Sequence, residues 1–197
     1  MSNLEYHLRL KHAFRHAVET DRGSLRHARL KDAGAITGFL NADDHDYTTH
    51  KYKGKFNPNK NPHRVKYIKE KILPHDAKIE PEYGMYNLYG FNRTDGKAIC
   101  HMTLWFDDQG RTRISPYVLP SFRRIGLGQE FYEAVLSRAV QKGLFPSGEV
   151  IAEIEKDNLA SQKFYMSLGF NEAGRGEATT VAGYEGKVMI PFVRILA

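Results

Sequence analysis

Apolar positions along the chain change period several times, and each change predicts an element. In residues 1–23, Leu4, Leu8 and the Lys11/Phe14 positions recur at helical spacing and end at Gly23, which predicts an amphipathic helix ahead of the main domain. Leu25–Leu30 alternates apolar and charged side chains, as a half-buried strand does. Asp32 is placed to cap a helix over Ala33–Leu40. Asn41 to His63 shows no period and reads as a long loop. Val65, Ile68 and Ile72 then predict a helix stopped by Pro74. From Pro81 the pattern turns to strands: Tyr83–Phe91 and Ala98–Asp107 around an Asp95-Gly96 turn, then Thr112–Val118. A helix follows over Leu127–Lys142, then a strand Glu149–Glu155, a helix Leu159–Ser167 and a last strand Lys187–Leu196. The predicted order β-α-α-β-β-β-α-β-α-β is that of an α/β (α+β) domain, with residues 1–23 as a helical extension and 24–197 as the domain.

Composition narrows the class without naming a chemistry. The 197 residues are 41% hydrophobic and 26% charged, as in globular domains. One cysteine, Cys100, excludes an internal disulfide and a cysteine-built zinc site, and fits a reducing compartment. No apolar run approaches membrane-spanning length and the basic N-terminal segment is unlike a signal peptide, so a cytoplasmic protein without membrane contact is expected. The net charge of +6 is local: Lys51–Lys71 holds eight basic residues and one acid, Glu70, hence +7, and the rest sums to −1. Such a segment attracts a polyanion or an acidic substrate, or is a solvated face. Histidines 45, 50, 63 and 75 match no metal-site spacing, so no metal is expected.

The segment Pro120-Ser121-Phe122-Arg123-Arg124-Ile125-Gly126-Leu127-Gly128 links a predicted strand to a predicted helix. Unpaired N–H groups and the helix dipole meet there, and the glycines let an anion approach the backbone. Neither the P-loop nor the three-glycine dinucleotide pattern is present. Val118-x-Pro120-x-x-Arg123-x-x-Gly126-x-Gly128 resembles the acyl-CoA pyrophosphate loop of the GNAT (GCN5-related N-acetyltransferase) superfamily, and Asn158-Leu159-Ala160 through Tyr165 to Gly169-Phe170 resembles its Asn-x-x-Ala-x-x-x-Tyr-x-x-x-Gly-Phe segment. The start, Leu25 to Ala33, is similar to the family's first strand and helix, and the likeness spans about residues 24–197.

That resemblance implies a mixed sheet in which Thr112–Val118 and Glu149–Glu155 are parallel strands that splay apart around acetyl-CoA, used as co-substrate. It implies that the backbone of Tyr117 and Val118 pairs with pantetheine, that Arg123, Arg124, Ile125, Gly126, Leu127 and Gly128 hold the pyrophosphate, and that Asn158 bonds the pantetheine arm while also suiting a helix N-cap. It makes Tyr165 the donor to the departing thiolate. Full proton transfer from a phenol to that thiolate is uphill by about 2 kcal/mol, so a hydrogen bond is the expected role. The glutamate that many members carry on the strand corresponding to Thr112–Val118 is missing. Glu153 and His101 are the candidates for the base, against the readings of a solvated carboxylate and an interior imidazole. The expected activity is acetyl transfer to a primary amine by direct attack in a ternary complex. The basic region, with Lys51, Lys53 and Lys55, would bind an acidic or phosphate-bearing acceptor. A nucleic-acid-targeting protein and a non-catalytic acyl-CoA-binding module are the alternatives, and a homodimer is consistent with the family.

Overall fold

The computed structural model describes residues 1–42, 65–107, 111–178 and 187–196. Its strands are β1 (Val18–Glu19), β2 (Gly23–Arg26), β3 (Met85–Asn92), β4 (Ala98–Phe106), β5 (Thr112–Val118), β6 (Glu149–Glu155), β7 (Asn171–Glu172), β8 (Glu177–Ala178) and β9 (Val188–Ile195). They form one sheet ordered β1-β2-β3-β4-β5-β6-β9-β7, with β8 also on β9. Every pairing is antiparallel except β5 with β6. The helices are α1 (Asn3–Ala13), α2 (Ala33–Leu40), α3 (a continuous stretch of Val65–Tyr67, Ile68–Ile72 and Leu73–Glu82), α4 (Leu127–Gln141) and α5 (Leu159–Ser167).

Hydrophobic alternation divides the sheet into two buried faces. Leu88, Met102, Leu104, Ile114 and Val150 pack under α1, α4 and α5. Tyr89, Phe91 and Tyr117 face the other way, against Ile36 and Phe39 of α2 and Ile68 of α3. Phe131 of α4 lies over two glycines. A Cβ on Gly90 would sit 2.6 Å from its ring, and one on Gly23 would sit 2.9 Å from it, so bare backbone is what lets the helix come this close.

Several sequence expectations change here. In α1 the buried positions are Tyr6, His7, Leu10 and Ala13, whereas Leu4 and Leu8 are exposed. The Tyr6 hydroxyl shares a 2.8 Å hydrogen bond with Thr112 Oγ1 on β5, so α1 packs into the central core. Gly23 opens β2 rather than closing a helix. Pro74 does not stop α3: the preceding turn, Ile68–Ile72, widens to π geometry and the helix continues to Glu82. Proline lacks the N–H that would bond the carbonyl four residues back, and its ring crowds that carbonyl, which a wider turn relieves. Asp32 precedes α2 but makes no side-chain cap to it. Its carboxylate accepts from the Arg29 N–H at 2.8 Å and from Arg26 at 2.5 and 2.8 Å. The Asn41–His63 loop falls, beyond Ala42, outside the described residues.

Candidate active site

β5 and β6 pair only at Thr112↔Val150 and Arg113↔Ile151. Beyond these rungs no pairing joins the two strands, so they splay, and each offers a backbone edge to the gap. In β5 the alternation of hydrogen bonding decides which residues face it. Leu119 N–H donates to Ile99 on the β4 side, so Tyr117, opposite His101, also directs its backbone to β4. Ile114, Pro116 and Val118 then face the gap. Pro116 is tolerated inside a sheet because its nitrogen points where no strand pairs. Of Tyr117 and Val118, it is Val118 whose backbone meets the gap, and its carbonyl accepts from Arg123 Nε at 2.8 Å. The Arg123 guanidinium also lies 5.4 Å from the centre of the Tyr117 ring.

At the closed end of the gap stands Tyr165, projected from α5. Its hydroxyl donates to the Ile114 carbonyl at 3.0 Å. The rings of Tyr132, Phe164 and Phe170 meet Tyr165 edge-on, with centroids 5.1–5.9 Å away. Burial pushes the Tyr165 phenol well up, which favours its neutral, hydrogen-bond-donating form. Cys100 is likewise buried, which pushes its thiol up and disfavours the thiolate.

The turn from β5 to α4 is shaped for an anion. Pro120–Phe122 forms a 3₁₀ turn, Arg124 takes a left-handed conformation at φ 63°, and Gly126 does so at φ 81°. Arg124 is the described non-glycine residue with positive φ, so the loop is held against its preference. The N-cap of α4 is Gly126, which has no side chain to cap the helix, so the first amides, from Leu127 and Gly128 onward, open toward the loop. Ile125 is 57% exposed, in keeping with a loop that meets solvent. A Cβ on Gly128 would be 3.4 Å from both Phe164 and Val118, so glycine keeps the start of α4 close to β5 and α5.

Arg22, from the β1–β2 turn, is a residue that pattern reading missed. Its side chain ion-pairs with Glu130 in the first turns of α4 and donates to the Ile125 carbonyl at 2.5 Å. A loop carbonyl turned toward an arginine is turned away from any anion that meets the neighbouring amides. Asn158 is the N-cap of α5, its side chain accepting from Ser161 N–H at 3.1 Å.

Glu153 lies beside the gap on the α2/α3 face, but its carboxylate is paired with Arg113 at 2.9 Å. Arg113 is 8% exposed and also pairs with Asp107. Burial alone would make its charge costly, and the two carboxylates more than offset this. On the same face, Asn87 Oδ1 accepts from Thr103 at 2.8 Å and lies 3.1 Å from His101 Nε2, while Asn87 Nδ2 donates to Glu80 at 2.9 Å. Burial, with the Glu80 carboxylate nearby, pushes the Tyr86 phenol up to about 12. Lys51, Lys53 and Lys55 lie outside the described residues, whereas Lys66, Lys69 and Lys71 are exposed on α3.

A profile described as the Acetyltransferase (GNAT) family matches residues 45–170, which include the splayed strands, the anion loop and Tyr165. The chain belongs to the GNAT acetyltransferase family. It is therefore an acyl-CoA-dependent acetyltransferase, and GNAT enzymes use acetyl-CoA. No curated protein matches the chain in sequence. Among solved structures, the fold is shared with the acetyltransferase that modifies the N-terminal serine of 50S ribosomal subunit protein L7/L12 from Salmonella typhimurium, at TM-score 0.70 and 12% identity over 92% of this chain and 100% of that one. It is shared with the ribosomal-protein-S5-alanine acetyltransferase of Vibrio fischeri, at 0.69 and 12% over 91% and 96%. The microcin C7 self-immunity acetyltransferase, solved with acetyl-CoA and AMP, superposes at 0.71 with 11% identity over 90% and 94%. Among the described residues of this GNAT enzyme there is no cluster of three or more metal-ligating side chains, and no helix is long and apolar enough to cross a membrane.

Proposed function

We propose that this GNAT enzyme transfers acetyl from acetyl-CoA to a primary amine on an acidic or phosphate-bearing acceptor, by direct attack in a ternary complex. The observation that carries the acceptor class is the +7 charge of Lys51–Lys71, set against −1 for the rest of the chain. Such a segment draws anionic acceptors in and repels polycationic amines. The relatives fit this reading: two act on ribosomal proteins and a third was solved with AMP beside acetyl-CoA.

In this reading the amides of Arg124–Gly128 hold the pyrophosphate, and the exposed edge of β5 at Val118 pairs with the pantetheine. The Tyr165 hydroxyl would leave the Ile114 carbonyl to donate to sulfur as negative charge grows there. A lysine-type amine is neutral about once in 2,500 at pH 7, whereas an α-amine is neutral about one time in ten, so an α-amine demands less of a base.

Thermal unfolding tests the donor. Acetyl-CoA at 100 times its Kd adds about 2.7 kcal/mol, a rise of roughly 5–10 °C for a chain of this size. The acceptor is tested with O-phosphoserine, a Glu-rich peptide with a free α-amine, and spermidine. Thiol release is expected with the first two only. In the triple variant K51E/K53E/K55E the acceptor KM should rise roughly tenfold, with the acetyl-CoA KM unchanged, because the reversed charge repels the anion. An unchanged acceptor KM refutes the acceptor site.

A further inference from the structure

We propose that Arg113 is a strut across the foot of the gap. By tying Glu153 of β6 to Asp107 beyond the end of β4, it sets how far β6 stands from β5 in the groove that takes the acyl-CoA. The inference rests on the donor reading above and names the residues that hold the width of that site.

The sheet is two half-sheets with a narrow seam. β5 is bonded to β4 along the whole of Thr112–Val118, and β6 to β9 along the whole of Glu149–Glu155. The halves meet at Thr112↔Val150 and Arg113↔Ile151. Parallel rungs are slanted and slightly weaker than antiparallel ones, so two of them leave the angle between the strands loosely set.

Arg113 stands where that angle is decided, as the last paired residue of β5. Its Nη2 donates to Glu153 Oε1 at 3.0 Å, and its Nη1 lies 2.9 Å from Oε2, a forked contact that fixes orientation as well as distance. Glu153 is two residues beyond Ile151 on the same face, so the pair runs diagonally over the first open step of the gap. On its other side Arg113 Nε donates to Asp107 Oδ2 at 3.0 Å. Asp107 in turn accepts from the Arg111 N–H at 2.9 Å and from Arg111 Nε at 3.0 Å. A guanidinium forked on one carboxylate and bonded through Nε to another is held in one orientation. Among the described residues, Arg113–Glu153 is the ion pair that joins β5 to β6.

The opposite face fixes which strand the strut acts on. Thr112, one residue earlier, points to the α1/α4/α5 side, where its Oγ1 donates to the Leu144 carbonyl at 2.9 Å and shares a 2.8 Å bond with Tyr6. β5 is thus pinned from below, and the strut governs β6. A second bond across the seam, from Tyr165 of α5 to the Ile114 carbonyl, is the one that the proposed step gives up as the hydroxyl turns to sulfur. The strut takes no part in that step and holds the halves together through it. Its two arginines and two carboxylates also sum to zero charge, so the strut brings no net field to the thioester.

Titration calorimetry on the full chain tests this, with acetyl-CoA and with phosphoadenosine diphosphate, the part of coenzyme A that lacks pantetheine. The Glu153 side chain is 40% exposed, so Glu153→Gln leaves the core intact. Arg113→Lys keeps a cation for Asp107 but loses the fork. Each should raise the acetyl-CoA Kd about tenfold, and the double variant no further than Arg113→Lys alone, because both cut one pair. The phosphoadenosine diphosphate Kd should not change, since the anion loop is untouched. An unchanged acetyl-CoA Kd in both variants overturns the strut alone. So does a Glu153→Gln kcat that falls while that Kd holds, which makes Glu153 a group acting on the acceptor. Equal loss for the two ligands overturns it as well, because it reports a general loosening. A wild-type protein that does not bind acetyl-CoA overturns the donor reading, and the strut with it.

Discussion

At the scale of single residues, the site depends on polar groups placed where burial changes their chemistry. Tyr165 is the clearest case, because desolvation makes its phenol a poorer acid and leaves it a good donor. Tyr165→Phe should therefore lower kcat by about 10- to 100-fold, as loss of one transition-state hydrogen bond does, with little change in acetyl-CoA affinity. Thiol release under saturating donor measures this, and unchanged turnover would remove Tyr165 from the chemistry. The variant also loses a buried hydrogen bond to Ile114, which costs about 1 kcal/mol of stability.

At the scale of elements, the anion loop is held from outside its own strand and helix. Arg22 reaches from the β1–β2 turn to the Ile125 carbonyl and to Glu130. The arginine also covers a carboxylate that would otherwise repel a phosphate at the α4 N-terminus. Arg22→Ala should raise the acetyl-CoA Kd by about tenfold while kcat at saturating donor holds, since the ion pair is remote from the thioester. Titration calorimetry with acetyl-CoA checks this, and an unchanged Kd refutes it. Arg22→Lys should recover only part of the affinity, because an ammonium cannot reproduce the forked contact.

For the whole molecule, acid lability follows from the arginine-paired carboxylates. Burial alone would raise the Asp32 pKa, but hydrogen bonds from Arg26 and Arg29 and the charges of Arg26 and Lys31 outweigh it and hold the carboxyl below its usual range. Asp107 is held low in the same way by Arg111 and Arg113. A folded-state pKa below the unfolded one gives stability that is complete above the ordinary carboxylate range and lost as pH falls through the folded value. Tm should be flat from pH 7 to about 5 and fall below about pH 4. Asp32→Asn should lower Tm at pH 7, with the gap from wild type closing in acid. A gap independent of pH would show that the pairing is not its source.

The sequence by itself determined the elements whose signals are local. Thr112–Val118, Glu149–Glu155 and Leu159–Ser167 begin and end where period, cap and glycine put them, and Ala33–Leu40 keeps its expected bounds although Asp32 does not cap it. The two motifs, written in contiguous residues, were enough to place the family. Tertiary structure decided what depends on partners distant in the chain. Which face of α1 is buried is set by where the β5 side chain Thr112 waits for Tyr6, and periodicity does not encode that. Short strands such as Val18–Glu19 and Asn171–Glu172 owe their existence to a neighbour's free edge rather than to their own composition. Arg22 meets the anion loop across more than a hundred residues, Glu153 meets Arg113 across 40, and the line from Glu80 through Asn87 to His101 crosses a helix and two strands. No spacing rule records such meetings, because they are made when the sheet closes and the helices settle on its two faces.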